Sequence, residues 1–290
     1  MRVLVVGNLT RDVIVSGKGR WERTGGGAYY SALALRGLAR VDVVTKGAPE
    51  GPLPEGINFH VLPSDEITTY LLEYRGEGRR LSLLSRGGEI RPEELPPLED
   101  YDFVVANPVA GELSPKTLER LMERPLALDV QGLVRRFGEE GEVFMGPLEP
   151  DVLDGVWVLH GDVREILTLG SFERVLETLA ERVEVALISN GSERGIALHR
   201  GKVYAFYPPR RDVENPTGAG DTLLGAFSFF YRTLPFVKAL KTAVAFTALS
   251  LEGSANLKKA MSMAREVRVE RLSNVDPGHH YPKGQSTSSP

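Results

Sequence analysis

The segment with the strongest chemical signature is Asn215-Pro216-Thr217-Gly218-Ala219-Gly220-Asp221, which opens a helical pattern. Small residues let the backbone turn tightly and approach a ligand closely. The free amides of a helix's first turn, together with the helix dipole, can bind a phosphate that gains negative charge. Asp221 lies in the same turn, where its carboxylate could accept a proton from an attacking hydroxyl. A purely structural turn, with Thr217 as the helix cap, would have the same spacing.

A second glycine-rich segment, Gly25-Gly26-Gly27, precedes a run of small residues with a helical pattern. A glycine run that opens a helix lets a ligand contact the backbone, so Gly26 and Gly27 are candidates for lining a pocket. A flexible loop that leads into a tightly packed helix would look the same. Asp12 lies just beyond the first predicted strand, near the sheet edge where ligands of such folds bind.

Other catalytic motifs are absent from the sequence. It contains no G-x-x-x-x-G-K-[ST], no G-x-G-x-x-G after the first strand, no G-x-S-x-G and no H-E-x-x-H. These absences disfavour P-loop enzymes, dehydrogenases, serine hydrolases and zinc proteases. The 290 residues include no cysteine, which excludes disulfides and a cysteine nucleophile and fits an intracellular protein of a thermophile.

The charge and hydropathy of the chain limit its partners and its location. The net charge of -4 provides no basic field that would attract nucleic acid or an acidic membrane. No stretch approaches ~18 consecutive apolar residues, and the N-terminus lacks the pattern of a signal peptide. We therefore expect a cytoplasmic protein that binds neither nucleic acid nor membranes.

Short β-rich runs alternate with amphipathic helical patterns along the chain. The predicted strands are Arg2–Val6, Val41–Thr45, Phe103–Ala106, Leu126–Val130, Val156–His160 and Val185–Ser189. Most are continuously apolar, as in strands that are buried on both faces of a parallel sheet. Between them, residues such as Phe172, Val175 and Leu179 fall at helical spacing. The repeated order predicts an α/β fold with a mostly parallel, helix-covered central sheet.

Two regions interrupt this order, residues 12–23 and 57–86, and predict a small antiparallel sheet that could act as a lid. The second region contains the strand-like pieces Asn58–Leu62, Thr68–Tyr74 and Arg80–Ser85 without a helix between them. An ordinary surface hairpin would give the same pattern. We expect one domain over residues 1–276 and a disordered tail over 277–290. An exposed lid face could also pair two copies in a homodimer.

Together, Gly25-Gly26 with the following helix and Thr217–Asp221 resemble the two signatures of the ribokinase-like family, also called the PfkB carbohydrate kinases. The similarity runs from Val3 to about Leu257. It implies a ribokinase-like three-layer α/β/α core with a small antiparallel β lid, and phosphate transfer from ATP to a hydroxyl group. The implied roles are Asp221 as base, the amides of Gly218, Ala219, Gly220 and Asp221 as anion hole, and Asp12, Gly26 and Gly27 as sugar-binding residues.

The resemblance also implies a site for ATP and Mg²⁺. In the family, an Asn-x-x-Glu motif after a central strand helps to organise Mg²⁺ and phosphate, and Asp162-Val163-Arg164-Glu165 occupies that place here. Glu165 matches the motif, while Asp162 replaces its Asn with a carboxylate, which is still a hard oxygen ligand. The other residues implied for the nucleotide are Ser189, Asn190, Gly191, Gly195, Thr217, Gly218, Gly220 and Asn256, with the apolar helix near 243–249 beside the adenine.

Two features bear on the acceptor. Tyr30 stands where the family's N-terminal signature usually carries an Asn that touches a sugar, which suggests a different substrate or a different way of holding it. The segment from Asp129 to Arg135 resembles myo-inositol kinases of plants and archaea. Asp129, Gln131 and Arg135 offer acceptors and donors for a ring dense in hydroxyls, although a strand end with an Asx-type turn would use the same residues.

The resemblance therefore implies an ATP- and Mg²⁺-dependent kinase of a small polyol, with myo-inositol as the favoured substrate. A nucleoside or simple-sugar kinase of the same family remains an alternative, as does a non-catalytic protein that senses a sugar or nucleotide. Asp221 disfavours the sensor, since a protein that only binds its ligand has no need for a base.

Overall fold

The computed structural model describes residues 1–75, 78–211 and 216–272. The strands are β1 (Arg2–Val6), β2 (Thr10–Ser16), β3 (Gly19–Gly25), β4 (Arg40–Lys46), β5 (Asn58–Leu62), β6 (Thr69–Arg75), β7 (Gly78–Ser85), β8 (Phe103–Ala106), β9 (Leu126–Asp129), β10 (Arg135–Phe137), β11 (Val143–Met145), β12 (Val158–Asp162), β13 (Val185–Ser189), β14 (Gly195–His199), β15 (Lys202–Tyr207) and β16 (Arg268–Arg271). The helices are α1 (Gly27–Leu35), α2 (Pro115–Leu121), α3 (Gln131–Val134), α4 (Val163–Ile166), α5 (Phe172–Arg182), α6 (Ala219–Tyr231), α7 (Phe236–Leu251) and α8 (Leu257–Met263).

The larger sheet has ten strands in the order β16-β15-β14-β13-β12-β9-β8-β1-β4-β5. From β5 to β13 neighbouring strands run parallel, whereas β14, β15 and β16 extend the sheet antiparallel at one edge. Strands such as β1, β8 and β9 are almost wholly buried. Their continuous apolar runs follow from this burial, because helices cover both faces of a parallel sheet.

Two hydrophobic layers sandwich this sheet. On one face, α1, α6 and α7 pack with residues such as Phe227, Phe230 and Phe246. On the other face, α2 and α5 bury Leu118 and Val175. The structure thus confirms the predicted α/β core of three layers.

The helices of these layers follow directly from local sequence. In α5, the Ser171 hydroxyl caps the helix by accepting a hydrogen bond from the N–H of Arg174, and Phe172, Val175 and Leu179 form its buried stripe. Helix α7 is buried over most of its 16 residues, since most of its side chains are apolar. In the part of the chain that the structure describes, no helix is long and apolar enough to cross a bilayer.

A second sheet has four strands in the order β3-β2-β6-β7, and β10 and β11 form a separate antiparallel pair. Two antiparallel hairpins, β2–β3 and β6–β7, are joined by a parallel pairing of β2 with β6. On its inner face, Ile14, Tyr70 and Leu72 pack against Val109 and Ala110, in the loop after β8. This contact holds the sheet over the carboxyl edge of the central strands, where a lid would lie. We call this four-stranded sheet the lid.

The prediction that Asn58–Leu62 belongs to the small sheet is wrong. This segment, β5, pairs in parallel with β4 and forms one edge of the ten-stranded sheet. Parallel neighbours are usually joined through a helix, but the connection between β4 and β5 over 47–57 contains none. The sequence pattern of this region therefore resembled that of an antiparallel hairpin. The predicted tail over 277–290 lies outside the described residues.

Candidate active site

A cleft of about 670 Å³ lies between the carboxyl edge of the central sheet and the inner face of the lid. Most residues that the sequence predicts for the site line this cleft. They are Asp12, Gly26, Gly27, Tyr30, Asp129, Gln131, Arg135, Asp162, Glu165, Ser189, Asn190, Gly191, Thr217, Gly218, Ala219, Gly220 and Asp221. The fold therefore brings segments from both ends of the chain to one place.

Two residues predicted for the nucleotide do not line the cleft. Gly195 begins β14 and packs against the ring of Phe206, which lines the cleft in its place. Asn256 is the N-cap of α8, where its side chain accepts a hydrogen bond from the N–H of Lys259 at 2.9 Å. Gly195 therefore permits close packing against Phe206, and Asn256 caps a helix.

Helix α6 turns its N-terminus to the cleft, and the glycines before and within its first turn permit close packing. Gly218 has a φ of 80°, which favours glycine, and a side chain there would overlap the ring of Tyr30. At Gly220, a Cβ would lie 2.5 Å from Cε1 of His160. Since Gly218, Ala219 and Gly220 line the cleft, the positive end of the helix dipole borders it and can stabilise an anion.

Asp221 is buried in this first turn, and two side-chain amides converge on one of its oxygens. Oδ1 accepts hydrogen bonds from Nδ2 of Asn107 at 3.1 Å and from Nε2 of Gln131 at 3.3 Å. Burial, reinforced by the nearby carboxylate of Asp129, raises the pKa of Asp221 to about 7. A carboxylate with this pKa can exchange a proton near neutral pH, as a general base does.

A hydrogen-bond chain runs along the floor of the cleft from Asp129 through His160 to Ser189. Oδ2 of Asp129 lies 2.6 Å from Nδ1 of His160, and Nε2 of His160 lies 3.2 Å from Oγ of Ser189. Burial disfavours the charged imidazole, but the hydrogen bond and charge of Asp129 outweigh that effect and raise the pKa of His160. The pair fixes the imidazole ring beneath Gly220.

Asp162 and Glu165 form a capping box at the start of α4. Glu165 Oε2 accepts from the N–H of Asp162 at 2.9 Å, and Asp162 Oδ1 accepts from the N–H of Arg164 at 3.0 Å. Burial, followed by the charge of Asp129, raises the pKa of Glu165 to about 7. A divalent cation would relieve this crowding of carboxylates. The pair fits Mg²⁺, which often binds through one or two carboxylates together with substrate phosphates, although the described residues gather no group of three or more ligands.

Arg135 brings a positive charge into the cleft. Its guanidinium donates to Oε1 of Gln131 at 2.7 Å and to the carbonyl of Val109 at 3.3 Å. It also lies over the ring of Tyr70 in β6, 5.6 Å from the ring centroid. Arg135 therefore links the lid to Gln131 and, through that amide, to the carboxylate of Asp221.

Asp12 enters the cleft from the lid strand β2. Its Oδ1 accepts from the hydroxyl of Thr10 at 2.7 Å, and its Oδ2 lies 3.7 Å from Nε of Arg23. Gly25 leaves room for this carboxylate, because a Cβ there would overlap it. Burial raises the pKa of Tyr30 to about 12, so its hydroxyl stays neutral and can donate or accept a hydrogen bond.

The remaining lining combines an apolar wall with polar loops. Val244, Ala248 and Leu251 of α7 form the wall. The polar loop Ser189-Asn190-Gly191 follows β13. An apolar wall beside a polar loop suits a ligand with an apolar base and a polar tail.

Sequence reasoning missed several residues of this site. His160 precedes Asp162 by two residues in β12, and the alternation of a strand places both side chains on one side, so a signal was present. Asn107 directly follows β8, at the carboxyl edge where ligand-binding residues gather. Leu72 and Leu81 line the cleft from the lid, but nothing in their spacing distinguishes them from other lid leucines.

Comparison with known proteins gives a consistent picture. Residues 55–256 match the family model described as pfkB family carbohydrate kinase. Among curated proteins, the inositol 3-kinase of Arabidopsis thaliana is 28% identical over 240 residues, which cover 77% of this chain and 66% of that protein. The chain thus spans just under two thirds of the length of this relative.

Solved structures share the fold. One concerns the conversion of a pyrophosphate-dependent myo-inositol-1 kinase into a myo-inositol-3 kinase, in which an asparagine and a serine were replaced by leucine. It matches with a TM-score of 0.76 at 24% identity over 90% of this chain and 97% of that chain. The ribokinase of Arabidopsis thaliana, complexed with ribose and ATP, matches with a TM-score of 0.71 at 16% identity over 91% and 98% of the two chains. The fold is therefore ribokinase-like.

Proposed function

Because the chain belongs to the pfkB family of carbohydrate kinases, and is therefore a kinase of a sugar or polyol, we propose that it transfers the terminal phosphate of ATP to myo-inositol. The observation that carries the proposal is the placement of Asp221. Its carboxylate lies in the first turn of a helix whose N-terminus borders the cleft, with one oxygen anchored by two amides. One helical turn can then contribute both a base and an anion site, which phosphate transfer to a hydroxyl requires.

The proposed reaction is a single in-line displacement. The acceptor hydroxyl attacks the terminal phosphorus while Oδ2 of Asp221 takes its proton. The bond from phosphorus to the bridging oxygen breaks on the opposite side, so ADP leaves and no covalent enzyme intermediate forms. The charge that spreads over the transferring phosphoryl group is stabilised by the N-terminus of α6 at Gly218–Asp221.

We assign Asp162 and Glu165 to the Mg²⁺ that accompanies the donor. When bound, the ion offsets the negative charge of the donor phosphates. The capping box supports this assignment because it fixes one oxygen of each carboxylate by backbone hydrogen bonds. The other oxygens are then presented by side chains that line the cleft.

The acceptor end of the cleft supports a cyclitol. Asp12, Gln131 and Arg135 present hydrogen-bonding groups, while Leu72 and Leu81 add an apolar cover from the lid. A cyclitol chair has a rim of hydroxyls and two faces of C–H groups, so it matches a polar edge under an apolar cover. The curated relative and one of the structural neighbours are described as inositol kinases.

We further propose that hydroxyl 3 of myo-inositol is the one phosphorylated. The curated relative is named inositol 3-kinase, and two substitutions to leucine convert the structural neighbour from a 1-kinase into a 3-kinase. In this chain, Leu72 and Leu81 are the lid leucines that line the cleft. Hydroxyls 1 and 3 are related by mirror symmetry, so only the orientation of the ring under such a cover distinguishes them.

ATP is the proposed donor because Val244, Ala248 and Leu251 offer an apolar surface to a nucleotide base. Pyrophosphate is the second donor to test, since one structural neighbour is described as pyrophosphate-dependent. Arg164 and Arg211 also line the cleft, and guanidinium groups suit a small, highly charged anion.

The test supplies Mg²⁺ and either ATP or pyrophosphate, with myo-inositol, ribose, fructose, adenosine and cytidine as acceptors and product mass as the readout. We expect transfer from ATP to myo-inositol. Transfer only to ribose or a nucleoside would keep Asp221 as base but reject the polyol. Transfer from pyrophosphate alone would reject the role of the apolar wall. Tight ATP binding without transfer to any acceptor would reject the reaction and favour a sensor.

A further inference from the structure

Asn107 directly follows β8 and lies behind Asp221, outside the lining of the cleft. Its side chain is completely buried. Nδ2 donates to Oδ1 of Asp221 at 3.1 Å, but its own Oδ1 finds no hydrogen-bond partner among the described residues. Leaving a buried polar atom unpaired costs about 1–3 kcal/mol of stability, so Asn107 should have a role that offsets this cost.

The surroundings of Asp221 bring two donors to the same oxygen. Nε2 of Gln131 also donates to Oδ1, at 3.3 Å. Gly27 makes this convergence possible, because a Cβ there would lie 2.5 Å from that oxygen and 2.7 Å from Cβ of Asn107. Within the described chain, Oδ2 of Asp221 accepts no hydrogen bond. One oxygen is thus anchored, and the other is available on a side chain that lines the cleft.

We propose that Asn107 is a positioning residue for phosphate transfer, whose amide holds Oδ1 of Asp221 so that Oδ2 receives the proton of the acceptor hydroxyl. The proposal rests on the role of Asp221 as base. With two donors on Oδ1, the carboxylate cannot rotate without losing both hydrogen bonds. A misplacement of about 1 Å in a reacting group can cost on the order of 100-fold in rate, so the anchor affects turnover.

Asn107 separates positioning from substrate binding in a way that Gln131 does not. Gln131 lines the cleft, and a substitution there would also change contacts with the acceptor. Asn107 is not among the lining residues, so it acts on the reaction only through Asp221. A change at Asn107 should therefore alter kcat while it leaves the KM of both substrates nearly unchanged.

The charged and titratable groups that face Asp221 come from every side. They are Asp129 at the end of β9, Glu165 in α4, His160 in β12, Arg135 at the start of β10 and Tyr30 in α1. The carboxylates favour the neutral form of Asp221, and the cations favour its ionised form. The amide of Asn107 adds a donor without adding charge, so its removal destabilises the ionised base while the rest of this balance remains.

Two variants test the proposal. Asn107→Leu removes the donor while keeping a side chain of similar length, and Asn107→Asp keeps the shape but replaces the donor with a like charge. For Asn107→Leu we expect kcat to fall about 10- to 100-fold with KM values within about threefold. A carboxyl-carbon NMR titration, with the Asp221 signal assigned by its loss in Asp221→Asn, should show its pKa rising by roughly one unit in Asn107→Leu and further in Asn107→Asp.

The matched control is Asn58→Leu. Asn58 donates to Oδ1 of the buried Asp42 at 2.6 Å, on strands at the far edge of the sheet, so its loss should lower thermal stability without changing kcat. If kcat of Asn107→Leu falls no further than its folded fraction, measured by circular dichroism, or if the titration of Asp221 does not move, the proposal is overturned. The titration needs no turnover, so it decides the role of Asn107 even if the wild-type protein transfers no phosphate.

Discussion

Asp221 is the residue on which the proposed chemistry depends most directly. Asp221→Asn keeps the size of the side chain but removes the atom that would take the proton. We expect kcat to fall about 100- to 10,000-fold, the usual contribution of a general base, while the Kd of ATP changes by less than about threefold. Steady-state kinetics and calorimetric titration measure the two quantities. Near-normal turnover would remove Asp221 from the role of base.

The pH dependence of the reaction follows from the same carboxylate. Burial, then the charge of Asp129, raises the pKa of Asp221 to about 7. A base works only when deprotonated, so kcat/KM should fall about tenfold per pH unit below pH 7 and level off above it. A profile of kcat/KM from pH 5 to 9 measures this fall below pH 7. A rate that stays flat down to pH 5 would contradict an ionising base with a raised pKa.

The same raised pKa should lower the stability of the fold at the high pH values at which the proposed base is ionised. With a pKa of about 7 instead of 3.8, the folded state binds the proton more tightly than the unfolded state, so stability falls as pH rises from about 4 to 7. Asp221→Asn removes this loss, and its Tm should exceed that of the wild type at pH 8 but not near pH 4. We expect a difference of several degrees at pH 8, since roughly 1 kcal/mol corresponds to about 2–4 °C in a chain of this size.

Asp42 provides the control for that experiment, because its shift has the opposite sign. Burial raises its pKa, but hydrogen bonds from Asn58 and Arg2 outweigh burial and lower it. A carboxylate with a lowered pKa contributes stability above its unfolded pKa. Asp42→Asn should therefore lower Tm at pH 8. A Tm at pH 8 that falls in Asp221→Asn, as it should in Asp42→Asn, would show that the charge of Asp221 does not destabilise the fold.

The positions of helices and strands could be predicted closely from local sequence. The helical spacing of Phe172, Val175 and Leu179 predicts a helix where α5 lies, because the spacing of buried residues directly reflects helix geometry. The pairing of strands was less accessible. Segment Asn58–Leu62 has the composition of a strand, but it pairs with β4 through a loop without regular structure. The sequence of such a loop has no periodicity that would predict which strand comes next to β4.

The lid contributes one row of side chains that faces the proposed acceptor end of the cleft. Trp21, Ile14, Leu72 and Leu81 are paired in turn across β3, β2, β6 and β7. Directly paired residues in a sheet point to the same face. Leu72 and Leu81 line the cleft, so this row forms the inner face of the lid.

Changes in this row should redirect the reaction rather than abolish it. We expect the double variant Leu72→Asn, Leu81→Ser to turn part of the product from the 3-phosphate into its mirror image, the 1-phosphate, because a polar cover allows the ring to bind in a second orientation. Enantioselective chromatography of the product measures the ratio. The control Leu84→Asn changes a leucine of β7 that is 54% exposed and should leave the ratio unchanged. An unaltered ratio in the double variant would reject the role of the lid leucines.

Contacts between distant parts of the chain could not be predicted from motifs. The glycine-rich segments marked Gly27 and Asp221, and the residue types indicated anion binding and proton transfer. The hydrogen bond from Asn107 to Asp221 joins residues 114 positions apart. It exists because β8 lies in the centre of the sheet while α1 and α6 pack side by side. Strand order, which no local pattern encodes, therefore determines which residues anchor the carboxylate of Asp221, the proposed base.

We predict that the lid closes over the cleft when both substrates bind, and Trp21, which ends the inner row and is 43% exposed, can report this closure. Closure would exclude water and strengthen the electrostatic interactions of the buried charges. In the Asp221→Asn background, ATP with myo-inositol should shift tryptophan emission to shorter wavelength as Trp21 leaves water. The other tryptophan, Trp157, already stacks on Tyr231 with ring centroids 5.6 Å apart. The shift should therefore vanish in Trp21→Phe and persist in Trp157→Phe, whereas the reverse pattern would place the moving element in the core instead of the lid.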